Sequence, residues 1–241
     1  MGKIVVGYSG EPREYPPPKM YYAACIGVYE IGHHDYKDKT TLKYVLDFEL
    51  WRKLRSGPAP ALDSKGKQYT MPAFVGAYLG SPESPQPSNC LLACEALLQK
   101  RFTVADLEAG VDLETLLRKT CKLSLKAYGG ADSKKVKVDQ FLALDDDDDQ
   151  FKPNGPFHYW ELPASGKFTI PGPDVMPCET ARVFLKKSHE WLSMHPGDAS
   201  GGGGRPGQHE PDDDEPSNGR AGGGRTRQPA GADDEEEDIP F

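Results

Sequence analysis

Apolar and polar positions alternate through much of the chain before residue 145. Segment 20–31, MYYAACIGVYEI, is dense in aromatic and β-branched residues and predicts a first strand, with Gly32-His33-His34-Asp35 as the turn that ends it. Segment 41–51 alternates cleanly. Leu42, Tyr44, Leu46, Phe48 and Leu50 share one face, and Thr41, Lys43, Val45, Asp47, Glu49 and Trp51 the other, which predicts a second strand with one buried face. Segment 55–68, with Gly57-Pro58 and Lys65-Gly66-Lys67, reads as a loop. Segment 69–79 predicts a third strand, where Pro72 marks an edge or a bulge. The period then lengthens. Over 90–101, Leu91, Leu92, Cys94, Ala96, Leu97 and Leu98 form the apolar stripe of a helix that Ser88 or Asn89 can cap. Asp112 caps a second short helix over 113–119. Segments 121–127 and 135–144 return to alternation as fourth and fifth strands, joined through Gly129-Gly130-Ala131-Asp132. After the aspartates Asp145 to Asp149 come an apolar segment over 157–162 and a Pro/Gly stretch over 171–173. A helix is predicted over 179–194, with Ala181, Phe184, Leu185 and Leu192 on one side, packing either on the strands or on another copy of the chain. Trp160 and Trp191 are expected in the core.

The pattern stops at Met194. From His195 to Asp238 there is no Val, Ile, Leu, Met, Phe, Trp, Tyr or Cys, so this stretch cannot offset its ordering entropy and is expected to be disordered. It concentrates much of the 26 Gly and 22 Pro, about a fifth of the 241 residues. Four regions follow: an irregular lead-in over 1–18, a folded body over 19–194, a Gly/Pro-rich linker over 195–232 and an acidic tip over 233–241. Charge divides along the same line. The body holds 25 basic and 25 acidic residues and the tail 4 and 12, so the net charge of −8 sits in the tail. Without Asp145 to Asp149 the body carries +5, a distribution compatible with a polyanionic partner.

Several classes fall away. No run of about 18 apolar residues suggests a membrane span, and the N-terminus lacks a signal-peptide h-region. The five cysteines (Cys25, Cys90, Cys94, Cys121, Cys178) form no CxxC pair and read as buried thiols of a reducing cytoplasm. No phosphate loop, zinc-protease, nucleophile-elbow or paired-carboxylate motif is present, so a binding protein without cofactor is expected rather than an enzyme. His33-His34-Asp35 holds metal-type residues, but adjacent side chains of an extended segment point apart, so no metal is expected there.

Five strands with a helix between the third and fourth is the element order of an OB-fold barrel, so the fold class expected is mainly β, an OB barrel with a C-terminal helix and an acidic tail. The motifs GVYEIG, FTVADLEAGVDLETLLRKTCKLSL and KVKVDQFLAL resemble the small single-stranded DNA-binding proteins of phages and mobile elements over roughly residues 20–194, with Thr120-Cys121 where that family often has Pro-Cys. The terminus Asp233-Asp234-Glu235-Glu236-Glu237-Asp238-Ile239-Pro240-Phe241 is similar to the tip of bacterial single-stranded DNA-binding proteins. That resemblance implies a bacterial cytoplasmic or nucleoid location, with a phage origin open. It also implies docking of the tip into pockets on replication, recombination and repair enzymes. Phe241 would fill an apolar pocket, its carboxylate would meet a basic rim, and Pro240 would lower the ordering cost. The acids would steer the tip and compete with DNA for its own barrel.

Single strands are held by cations that follow phosphates and aromatic faces that stack bases. Tyr36, Lys37 and Lys39 in the first hairpin loop are candidates, as are Lys43 and Trp51 on the polar face of the second strand. So are Arg52 and Lys53, Lys65 and Lys67 beside Tyr69 and Phe74, and a clamp or solvated turn at Lys134, Lys135 and Lys137. Trp51→Ala is expected to weaken oligonucleotide binding with little loss of fold. Asp145 to Asp149 could mimic phosphate or cap the barrel, and is expected to be a solvated linker. An adaptor that docks proteins at both ends is the alternative function.

Overall fold

The computed structural model describes residues 14–36, 39–129, 135–148 and 151–198. It is mainly β. Strands β1 (Met20–Tyr36), β2 (Lys39–Leu54), β3 (Gly57–Pro60) and β4 (Thr70–Gly76) are followed by helices α1 (Asn89–Leu98) and α2 (Val104–Ala109) and a 3-10 turn at Leu113–Leu116. Strands β5 (Thr120–Ala127), β6 (Val136–Leu142) and β7 (His158–Trp160) and helices α3 (Glu179–Leu185) and α4 (His189–Met194) complete the order. The seven strands form one sheet, ordered β3-β2-β1-β5-β6, with β4 also on β2 and β7 also on β1. All ladders are antiparallel except that of β7 on β1. β4 and β6 come into contact, and no ladder joins them among the described residues.

The sheet has two more strands than the five expected. β3 lies within the segment read as a loop, and β7 is three residues long. Each takes over an edge that a neighbour vacates. Along β2, β4 pairs with 43–49 and β3 with 51–54. Along β1, β5 pairs with 20–24 and β7 with 27–29. A row of backbone donors and acceptors thus stays paired across each gap.

β1 does not turn at Gly32. The strand kinks there at a register shift between Glu30 and Gly32, with Gly32 at φ +83, and runs on until Tyr36 faces Lys39. Only glycine fits. A Cβ at Gly32 would collide with Ser188 and Glu190, and one at Gly27 with the ring of Tyr29.

The helices are shorter than the apolar stripes suggest. Ser88 caps α1, and Gln99 ends it at φ +50. Thr103 and Asp106 form a reciprocal capping box on α2, a helix the hydrophobic pattern does not announce. Hydrogen bonds from Lys100 and Thr103 hold the Asp106 carboxyl down to about 2. Asp112 caps a single 3-10 turn rather than a helix over 113–119. The C-terminal helix breaks in two because Ser188 caps a new start, accepting from the Trp191 amide.

Three apolar clusters hold these elements. The largest lies between the sheet and α1, around Val28, Leu46, Phe48, Leu50, Leu91, Leu97 and Leu123. The second covers the opposite side of β1 and β2, where Tyr29, Ile31 and Val45 meet Met176, Cys178, Ala181 and Leu185. The third joins Tyr22, Trp51 and Leu144 to Phe151. β2 is therefore buried on both faces from Val45 to Trp51, which corrects the expectation of one solvated face. Segment 151–194 supplies the second cover. Among the described residues no helix is long and apolar enough to cross a membrane.

Candidate functional site

The candidate DNA-binding residues fall into three groups. Lys37 and Lys134 lie outside the described residues, as does the whole tip from Asp233 to Phe241; Tyr36 is placed by its backbone alone, at the end of β1. Of the stretch expected to be disordered, residues 195–198 are described and turn back on α4, where the Trp191 indole N–H donates to Asp198 at 3.1 Å; the rest lies outside the described residues.

A second group is buried or half-buried. Trp51 is 7% exposed. Its indole N–H donates to the Glu49 carboxylate at 3.1 Å, and its ring lies 5.0 Å from that of Phe151. Phe74 packs 4.5 Å from the ring of Phe184. Tyr69 donates its hydroxyl to Glu14, and burial together with that carboxylate pushes its pKa up to about 12. These three aromatics were expected to stack bases. Segment 151–194 instead brings Phe151 over Trp51 and Phe184 over Phe74, across strands that the local alternation left open, while Tyr69 packs half-buried against the principal cluster.

The third group is cationic. Arg52 and Lys53 are exposed at the end of β2, opposite Ala59 and Pro58. Lys65 and Lys67 are exposed on a tight turn that projects where β3 hands over to β4. Asp63 shapes this turn by accepting from the backbone amides of Lys65 and Lys67 at 2.9 and 2.8 Å. Glu14 ties the same turn to the lead-in by accepting from Ser64. Lys39 is exposed beside the first hairpin, and Lys43 is half-buried opposite Gly32 and Gly76. Lys135 is exposed just before β6, and Lys137 is half-buried opposite Lys126. The end of β2 and the neighbouring turn thus gather four cations, Arg52, Lys53, Lys65 and Lys67.

Two further carboxylates matter that periodicity could not rank. Glu49 is buried and accepts from the Asn154 amide at 2.8 Å and from Trp51. Burial raises its pKa, and these hydrogen bonds offset part of the rise. Asp148 is the other. Its side chain is 6% exposed and accepts from Tyr22 and from the Asp145 amide, with Lys122 at 2.9 Å and Lys53 at 3.6 Å. Burial alone would raise its pKa, but hydrogen bonds from Tyr22 and Lys122 outweigh it and hold the carboxyl well below the usual range. The aspartate run is therefore no solvated linker where it reaches Asp148. It is the anchor that seats the segment carrying Leu144 against Tyr22 and Trp51. Asp145, Asp147 and Asp148 stand close enough together to share a cation, but Asp148 is already spent on Tyr22 and Lys122.

His33 and Asp35 hold α4 against the end of β1. His33 meets Glu190 through both its ring and its amide, His34 hydrogen-bonds the Ile31 carbonyl at 3.0 Å, and Asp35 pairs with His189 at 3.0 Å. Sequence pattern also passed over a cavity of about 360 Å³ beside Arg118 and Phe157. The left-handed backbone at Arg118, which no composition rule signals, shapes one wall. Comparison with known protein families, with curated proteins and with solved structures finds no match.

Proposed function

We propose that the chain binds single-stranded DNA without strong sequence preference and brings partner enzymes to it through its acidic Ile-Pro-Phe tip. The connectivity carries this reading. β1 lies between β2 and β5, helical matter is inserted between β4 and β5, and β6 returns beside β4, which is the path an OB barrel takes. Arg52, Lys53, Lys65 and Lys67 supply the phosphate contacts from one end of β2, with Lys39 and Lys135 as further cations. Each exposed cation on a strand's path releases counterions when it meets a phosphate, so affinity follows salt.

The covered outer face of β2 favours a second reading. A barrel whose β2 aromatics are turned inward offers few stacking platforms, as an adaptor without DNA affinity would. Retention of a labelled oligo-dT separates the two. Binding that weakens with salt at a log–log slope of about −0.7 per neutralised phosphate supports DNA binding. Replacing Lys65 and Lys67 by Glu should make that slope shallower by roughly 0.7 for each phosphate left without its cation. No retention in dilute buffer by a chain lacking residues 233–241 overturns DNA binding and leaves the adaptor.

A further inference from the structure

The edge of β1 passes from β5 to β7 at Cys25. There the Cys25 amide donates to the Lys119 carbonyl at 3.0 Å, and the Arg118 amide donates back to the Cys25 carbonyl at 2.9 Å. Arg118 sits at φ +69, a conformation that bulky side chains rarely take and that marks functional or over-determined positions. From this corner its guanidinium lies 4.9 Å from the centroid of the Phe157 ring. Beside it opens the cavity of about 360 Å³, lined by Glu114, Thr115, Leu117, Arg118, Phe157 and Tyr159. That volume falls within the roughly 300–1,000 Å³ of small-ligand sites.

The polar groups of this cavity divide into spent and unspent. The Thr115 hydroxyl donates to the Asp112 carbonyl, and the Tyr159 hydroxyl donates to Glu161. Among the described residues neither the Arg118 guanidinium nor the Glu114 carboxylate has a hydrogen-bond or ion-pair partner. The cavity therefore offers a planar donor fork, an acceptor carboxylate and an aromatic wall. An anion would satisfy Arg118 and be repelled by Glu114; a cation would meet the reverse. A neutral planar ring with acceptors on one edge and donors on another satisfies both. Among the bases guanine fits this demand best. Its N7 and O6 accept from an arginine fork, and its N1–H and N2–H2 together give a carboxylate two donors, where adenine, cytosine and thymine each offer a single donor group.

We propose that this cavity is a binding subsite for one guanine base, held by Arg118 on its O6/N7 edge and Glu114 on its N1/N2 edge, with the ring against Phe157 and Tyr159. The restriction to bases rests on the DNA-coating proposal, while a free nucleotide, which needs no strand, tests the subsite apart from it. Where both hold, a bound strand carries a preference for guanine at one position.

The test uses the full chain and the four deoxynucleoside monophosphates, read by the methyl resonances of Leu117. dGMP is expected to shift them saturably and to bind at least about fivefold tighter than dAMP, dCMP or dTMP. Arg118→Gly keeps the left-handed backbone while deleting the fork, and Glu114→Gln keeps the shape while removing one acceptor; both should abolish the preference. Unshifted resonances of the fully buried Leu116 and Leu123 report that each variant is folded. Equal responses to all four nucleotides, a preference that survives Arg118→Gly, or a response to a peptide of residues 233–241 with none to dGMP each overturns the subsite. A chain that answers dGMP but fails to retain oligo-dT keeps the subsite and overturns DNA coating.

Discussion

Trp51 stands on the face of β2 that alternation marks as polar, and its ring is nonetheless enclosed by Tyr22, Leu144 and Phe151. Truncation to Ala should open a cavity and cost about 3–5 kcal/mol, read as a lower urea midpoint, rather than act on oligonucleotide binding alone. Its neighbour Glu49 has a folded-state pKa raised by burial. A raised carboxyl disfavours its own charged form in the fold, so stability is lost as pH rises from the unfolded value of about 4.3 through the folded one. Glu49→Gln keeps an acceptor for Asn154 and Trp51 without the charge. It should raise the thermal midpoint at neutral pH and leave it unchanged in mild acid. Asp148 has the opposite sign. Its folded pKa is depressed, so its contribution is present above the unfolded value of about 3.9 and lost as pH falls below it. Asp148→Asn should flatten the acid limb of a melting-temperature profile. The face that Trp51 and Glu49 occupy was legible in the alternation of β2. What covers it was not, because Phe151 and Asn154 lie about a hundred residues further on and no local period encodes so distant a partner.

The two long strands each share one edge between two partners, and the joints are where the chain departs from its pattern. At Leu50 the change from β3 to β4 throws out the turn bearing Lys65 and Lys67; at Cys25 the change from β5 to β7 bends Arg118 into the left-handed region. Alternation showed the strands themselves, and Ser88 and Asp112 showed where helical turns start. The joints escaped because a Gly-Pro segment reads as loop and a three-residue strand has too few positions to show a period. α4 depends on another such place, the kink at Gly32. The His33 amide donates to Glu190 at 2.9 Å and the ring pairs with the same carboxylate. Glu190→Ala should speed hydrogen exchange at the His33 amide while leaving that of the β1–β5 ladder unchanged. Leu185, fully buried in α3, should cost about 2–5 kcal/mol as Leu185→Ala, since its cluster alone covers Tyr29 and Val45.

At the scale of the molecule the charge is partitioned: residues up to Met194 hold 25 of each sign, and those beyond hold 4 basic and 12 acidic. A chain ending at Met194 would be near neutral, and should precipitate at lower polyethylene glycol than the full chain at pH 7 because self-repulsion is lost. The same truncation should raise affinity for oligo-dT if the acids compete for the cations near the end of β2. All five sulfhydryls are sealed inside the packed layers, and burial drives Cys25 and Cys121 far above the ordinary thiol range. Alkylating reagents added to the native protein should therefore meet nothing until a layer lifts. Because Cys178 sits in the second layer and the other four in the principal one, the order in which mass adducts accumulate would time which layer opens first.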